Sequence, residues 1–255
     1  MDTKLKLRRL RNFNLFMALL HAVQGGAVIS LSTNFMLPVQ VGFLNFDATT
    51  QSLVPVTEQL FDIHLSWLVA AFLFLSAFAH LVIATVYNKQ YNADLEHGIN
   101  RARWVEYSLS ASTMMVAIAM LVGIYDLGSL LMIFALVAVM NLMGLVMEIH
   151  NQTTKRTSWL SYHVGVFAGI IPWVVVALFF WAANAYGVGE IPTFVYWIYA
   201  SIFLFFNCFA INMVLQYKKV GPWRDYLYGE RAYIVLSLIA KSALAWQVFA
   251  GTLRP

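Results

Sequence analysis

Seven apolar runs, each longer than about 18 residues and separated by polar connections, dominate this 255-residue chain. They lie near 13–35, 63–87, 103–124, 128–150, 159–186, 193–216 and 231–251. A helix crossing a bilayer needs about 20 apolar residues, so seven crossings use nearly the whole length and leave no room for a separate soluble domain. Composition agrees: 61% of residues are hydrophobic and 11% charged, whereas soluble domains carry roughly a quarter charged residues. The runs lack the polar alternation of barrel strands, and lipid offers no partner to an unpaired backbone group, so helices are expected. The fold class read from the sequence is an all-α membrane protein, a seven-transmembrane helix bundle forming one domain over residues 1–255, with the lipid bilayer as its first partner.

The connections at 88–102, 125–127, 151–158, 187–191 and 217–230 are short. The stretch at 36–62 is longer; Asn45 to Gln51 sits there between apolar segments, with the length to fold back as a β-hairpin. Lys4, Lys6, Arg8, Arg9, Arg11, Lys89, Arg101, Lys155, Arg156, Lys218, Lys219, Arg224 and Arg231 fall on the side of the N-terminus; only Arg254 falls opposite, and Arg103 and Lys241 lie inside runs. The positive-inside rule then places the N-terminus in the cytoplasm and the C-terminus outside, in a cell membrane. This distribution also explains the net charge of +4 without nucleic acid as a partner. The first run continues past any convincing cleavage site, so it is expected to stay as a helix rather than be removed as a signal peptide. The sequon at Asn151 lies on the cytoplasmic side and carries no weight. One cysteine, Cys208, excludes an internal disulfide framework. No glycine-rich phosphate loop, nucleophile elbow or metal-ligand spacing is present, so neither an enzyme nor a metal centre is indicated.

Ionisable groups deep in a span are expensive and mark function or buried pairing. Lys241 lies ten residues into the last run, about 15 Å deep at 1.5 Å per residue. Two uses are open to it: a buried ion pair between helices, or an amine held in apolar surroundings for a Schiff base with a carbonyl compound. Glu106 supplies a partner. It shares a face of the third run with Arg103, Ser110 and Thr113 at spacings of three and four, while Arg103 and Glu106 alternatively form a structural pair at the membrane edge. Ser237 lies one turn before Lys241 on the same face, or bonds the carbonyl four residues back. His21 and His80 stand at matching depth in adjacent runs, which favours a polar proton-accepting cluster on the cytoplasmic side over isolated packing.

The local words Arg103-Trp-Val-Glu-Tyr-Ser-Leu-Ser, Ala168-Gly-Ile-Ile-Pro-Trp, Leu204-Phe-Phe-Asn and Gly229-Glu-Arg-Ala-Tyr-Ile-Val-Leu-Ser-Leu-Ile-Ala-Lys-Ser-Ala-Leu-Ala-Trp-Gln resemble the heliorhodopsins along the whole chain. The resemblance implies a rhodopsin-like bundle with all-trans retinal on Lys241 as a protonated Schiff base and Glu106 as counterion. It implies the same inverted orientation as the charge count, a homodimer covered by the 36–62 loop, and a proton network of His21, His80, Arg103 and Ser110. It places Ser237, Tyr107, Met140, Gly169, Pro172, Phe206 and Gln247 around the chromophore, although Pro172 and Gly169 are equally explained by a kink and a close helix approach.

Light-driven pumps of this general fold carry a second carboxylate where Ser237 stands and a proton donor where Met114 to Met120 stands. Their absence favours a light sensor with a slow photocycle over a transporter or conductance, while a chromophore-free bundle with a structural Lys241–Glu106 pair is the third reading. Lys218, Lys219, Arg224, Asp225 and the basic N-terminal segment offer a docking surface for an unidentified cytoplasmic signalling partner; they equally satisfy the orientation rule and anionic lipid headgroups.

Overall fold

The computed structural model describes residues 3–255. Eight α-helices and one two-stranded sheet follow in the order α1 (Thr3–Leu31), β1 (Met36–Asp47), β2 (Ser52–His64), α2 (Leu65–Ala84), α3 (Asn88–Glu96), α4 (Arg101–Leu121), α5 (Leu127–His150), α6 (Leu160–Tyr186), α7 (Thr193–Tyr217) and α8 (Tyr226–Val248). A turn of 3₁₀ helix at Gly221–Arg224 precedes α8, and a π turn at Phe249–Leu253 ends it. All but α3 among the helices are long and apolar enough to cross a membrane.

The first helix starts ten residues before its apolar run. Leu7, Leu10, Asn14, Met17, His21, Gln24 and Val28 recur at steps of three and four, and all are buried, so one continuous stripe faces the bundle. Its polar members hide the stripe from a hydropathy reading, and its basic residues lie off it. Arg11 caps the end of α2 by donating to the Ala84 carbonyl at 2.8 Å, and Lys6 reaches Asp225 at the start of α8 at 2.6 Å.

Neighbouring helices pack in the order α1, α2, α4, α5, α6, and α7 packs on α8, which returns to α1. Between α6 and α7 the contact is made by rings: Trp173 meets Tyr199, Phe203 and Phe206 edge-on, and Phe180 meets Tyr196. The largest core fills the half of the bundle toward the C-terminal ends of α4 and α8, with Met114, Met115, Ile118, Met120, Leu244 and Val248 buried beside Val28 and Phe72.

β1 and β2 form an antiparallel hairpin with an irregularity between Val39 and Gln40. Its turn is closed by Asp47, which accepts from Thr49 N at 2.8 Å and Thr50 Oγ1 at 2.9 Å; these bonds hold its carboxyl below the ordinary carboxylate range. The base docks on the bundle through buried Leu37 and Val39, and Gln40 N donates to the Tyr125 carbonyl at 2.9 Å. Farther out, Phe43, Leu44, Phe46 and Leu53 are exposed.

Candidate functional site

Lys241 and Ser237 are buried on successive turns of α8. The ammonium donates to Ser237 Oγ at 2.9 Å and to Glu106 Oε1 of α4 at 2.7 Å. Ser76 of α2 donates to the same carboxylate oxygen at 2.6 Å. With 3% and 8% of the two charged side chains exposed, water screens the pair little, so each charge depends on the other. The Lys241 Nζ also lies 5.2 Å from the centre of the Tyr107 ring.

A cavity of about 380 Å³ opens beside Lys241, lined by Tyr107, Ser110, Met114, Met140, Phe206 and Ser237 among others. A second space of about 530 Å³ shares Tyr107, Met140, Asn141, Phe206 and Phe209 with it and runs on between α5, α6 and α7. A mostly apolar space with one amine in its wall, and a carboxylate bonded to that amine, suits an apolar ligand with a carbonyl end. Ser110, one turn beyond Glu106 on α4, is buried in the same wall. The residues present therefore fit retinal, the group the resemblance implies.

Three of the residues expected around the chromophore do not line this cavity. Gly169 stands behind Met140: a Cβ there would fall 2.2 Å from Met140 Sδ, so its bare backbone gives the methionine room. Pro172 is three residues on, turned about 60° away from Gly169, and is buried within α6. Gln247 lies six residues beyond Lys241, about 240° around the helix, and exchanges hydrogen bonds with Ser201 of α7 at 3.0 and 3.1 Å.

Arg103 does not pair with Glu106 either. Residues three apart on a helix diverge by about 60°, which turns the guanidinium away from α2 and toward α5 and α8. There it bridges Glu148, at 2.5 Å, and Glu230. Its plane lies over the rings of Tyr233 and Trp104, 4.0 and 4.6 Å from their centres. Glu148 also accepts from Trp104 Nε1 at 2.6 Å, Asn100 N at 2.9 Å and Tyr226 OH at 3.1 Å. Glu230 accepts from Asn100 Nδ2 at 2.6 Å and Tyr91 OH at 3.2 Å; burial raises the Tyr91 phenol well above its ordinary range, which keeps it a donor. The turn before α4 sets this up: Gly98 takes φ +69, which favours glycine, and Asn100 caps the helix by accepting from Arg103 N at 2.9 Å. Sequence reasoning missed Glu148, Glu230, Asn100, Trp104, Tyr226 and Ser76. Glu148 and Glu230 sit at run ends, where a carboxylate needs no explanation from hydropathy.

A further space of about 300 Å³ joins the two polar groups, lined by Asn14, His80, Asn100, Arg103, Glu106 and Glu230. His80 Nδ1 lies 2.7 Å from Asn14 Oδ1. His21 stacks on His80, with ring centres 5.7 Å apart and planes 5° from parallel. Neither His21 ring nitrogen has a hydrogen-bond partner among the described residues. Thr113, the outermost residue of the expected face, bonds the Leu109 carbonyl instead.

Residues 10–253 match the family model described as heliorhodopsin. No curated protein matches the chain.

Proposed function

The chain belongs to the heliorhodopsin family, and from that premise we propose that it is a light-sensing photoreceptor in which Lys241 carries the chromophore and Glu106 is the counterion. The family is one of retinal-binding rhodopsins, and the seven apolar helices make the protein an integral membrane protein. All-trans retinal, joined to Lys241 Nζ as a protonated Schiff base, would supply the visible absorption and the light-driven change of shape. The observation that carries this reading is the Lys241–Glu106 contact at 2.7 Å, buried at the end of an apolar cavity.

Each residue then has a task that its position supports. Glu106 neutralises a cation that burial would otherwise disfavour. Ser76 and Ser237 fix the carboxylate and the nitrogen by hydrogen bonds at 2.6 and 2.9 Å. Tyr107, Met140 and Phe206 enclose the space, and Gly169 acts through Met140. On the far side of Glu106, His80 and Asn14 offer a proton a polar exit, with His21 behind them. Toward the other end of α4, Met114, Met115, Ile118 and Met120 are buried and offer none. That asymmetry supports signalling over pumping.

The thirteen-to-one charge bias supports a cytoplasmic N-terminus and an outside C-terminus. A homodimer is the assembly we favour, because the exposed Phe43, Leu44, Phe46 and Leu53 of the hairpin form an apolar surface outside the bundle. A cytoplasmic partner would read the change of shape on the basic face.

The deciding experiment is expression with retinal. The wild-type chain should give a visible pigment and Lys241→Ala none; a pigment that survives the substitution refutes the assignment. Illuminated cells should show no sustained, protonophore-sensitive pH change, and such a change would replace the sensor reading by transport.

A further inference from the structure

On the face carrying the basic loops, a groove of about 930 Å³ opens between the turn after α3, the α5–α6 loop and the end of α7. Its charged wall consists of Lys155, Lys219 and His97; no carboxylate lines it. Neither lysine forms an ion pair among the described residues.

Asn151 and Gln216, which also line the groove, are bonded to the surrounding backbone. Asn151 donates to the carbonyls of Met147 and Ser158 and accepts from Ser158 N and Thr154 Oγ1, which locks the α5–α6 loop. Gln216 bonds the Tyr226 carbonyl at 3.2 Å, tying α7 to α8. Lys219 holds φ +53, a region that favours glycine; a charged side chain is nevertheless placed at that bend, on the rim. Both lysines are exposed and have no carboxylate beside them in the groove.

The floor of the groove is Tyr226. Its hydroxyl donates to Glu148 at 3.1 Å, Glu148 is bridged by Arg103 to Glu230, and Arg103, Glu230 and Glu106 line one common space. Direct contacts therefore lead from the groove to Arg103 and Glu230, and a shared space leads on from them to Glu106, the partner of Lys241.

We propose that this groove is a second binding site, for a small phosphate-bearing anion, and that its occupancy is communicated to the Glu106–Lys241 pair through Tyr226. Two unpaired ammonium groups match a doubly charged phosphate better than a single carboxylate, and lysine serves phosphate as a mobile point charge. The binding half stands on the groove alone; the communication half rests on the photoreceptor reading.

The test uses full-length protein in maltoside detergent, titrated calorimetrically with inorganic pyrophosphate, with and without retinal. Saturable one-to-one binding is expected in both forms. Lys155→Ala/Lys219→Ala should weaken it by at least about tenfold, the scale of one lost charge-assisted contact, and Lys155→Arg/Lys219→Arg should retain it. Absence of saturable binding, or binding indifferent to both lysines, overturns the site whatever the colour of the protein. Colourless protein that still binds pyrophosphate keeps the site and refutes the pigment. In vesicles containing phosphatidylglycerol, loss of pyrophosphate binding through the same lysines assigns the phosphate to a lipid headgroup, and undiminished binding assigns it to a soluble anion. Tyr226→Phe keeps the ring and removes the hydroxyl that bonds Glu148; its flash-induced decay is compared with that of wild type at pyrophosphate concentrations that saturate each protein by calorimetry. Pyrophosphate should change the flash-induced decay of the wild-type pigment and leave that of Tyr226→Phe unchanged. A wild-type decay indifferent to saturating pyrophosphate overturns the communication.

Discussion

Arg103→Met gives a direct measure of how the bundle tolerates its buried carboxylates. Arg103 is 4% exposed and bridges Glu148 and Glu230, each 2% exposed, so the three groups carry one positive and two negative formal charges. Methionine keeps much of the length of the side chain and removes the cation. The carboxylates keep five neutral donors, from Asn100 twice, Trp104, Tyr91 and Tyr226, but nothing separates the two anions. Removing one partner of a buried ionic group typically costs about 3–5 kcal/mol. At about 2–4 °C per kcal/mol for a chain of this size, the melting temperature should fall by about 6–20 °C. Thermal aggregation read by size-exclusion chromatography measures this without a chromophore. Adding Glu148→Gln and Glu230→Gln to Arg103→Met should recover at least half of the loss. A single variant melting within about 2 °C of wild type, or a triple variant no better than the single, would refute the view that charge balance rather than packing of the arginine holds this cluster.

Two further outcomes are expected. Glu106→Gln should move the pigment's absorption to longer wavelength, since the positive charge then spreads farther from Lys241; an unchanged spectrum removes Glu106 as counterion. Gly144→Ala should destabilise the protein by about 1–3 kcal/mol through overpacking, because the new Cβ would fall 2.5 Å from the Trp104 ring. Trp104 would have to leave Glu148, so tryptophan fluorescence should change with the melting temperature, and a neutral Gly144→Ala would show that the ring has room to move.

The seven spans were legible because hydropathy over 20 residues is a strong signal, and Lys241 with Glu106 because charge at depth is rare. What escaped the sequence follows physical patterns. The beginning of α1 was hidden because Lys4 to Arg11 is polar on average while Leu7 and Leu10 still continue a buried stripe. Helix α3 was hidden because its nine residues are polar and held by few buried groups. The partners of Arg103 escaped because spacing along one helix identifies a shared face but not which neighbouring helix that face meets. Here α5 and α8 bring carboxylates separated from Arg103 by 45 and 127 residues. Gln247 lies off the cavity wall for a related reason: six residues beyond Lys241 it is rotated around α8 toward Ser201.

The placement of polar groups also bears on why a carboxylate-poor interior favours sensing. The sequence singles out Lys241, Glu106 and Arg103 as charges inside the spans, and the bundle adds Glu148 and Glu230 around Arg103, toward the N-terminal ends of α4 and α8. In the other half, the polar pairs that bridge helices are neutral: Trp246 Nε1 donates to Gln24 at 3.0 Å, and Ser201 bonds Gln247. Between them lies the core of Met114, Met115, Ile118, Leu244 and Val248. Net transport requires a proton to leave by one half and return by the other. With the buried charged groups confined to one half, a proton released near Glu106 would find polar partners toward His80, Asn14 and the Arg103 cluster, and its return would follow the same route. Such a cycle moves no charge across the membrane, but it changes the charge balance around Arg103, where α4, α5 and α8 are held together. On the proposed reading, a light signal expressed as a rearrangement of that junction would reach the basic face through Tyr226, which bonds Glu148, without any carboxylate beyond Lys241, so the same apolar outer half argues against pumping and leaves signalling intact.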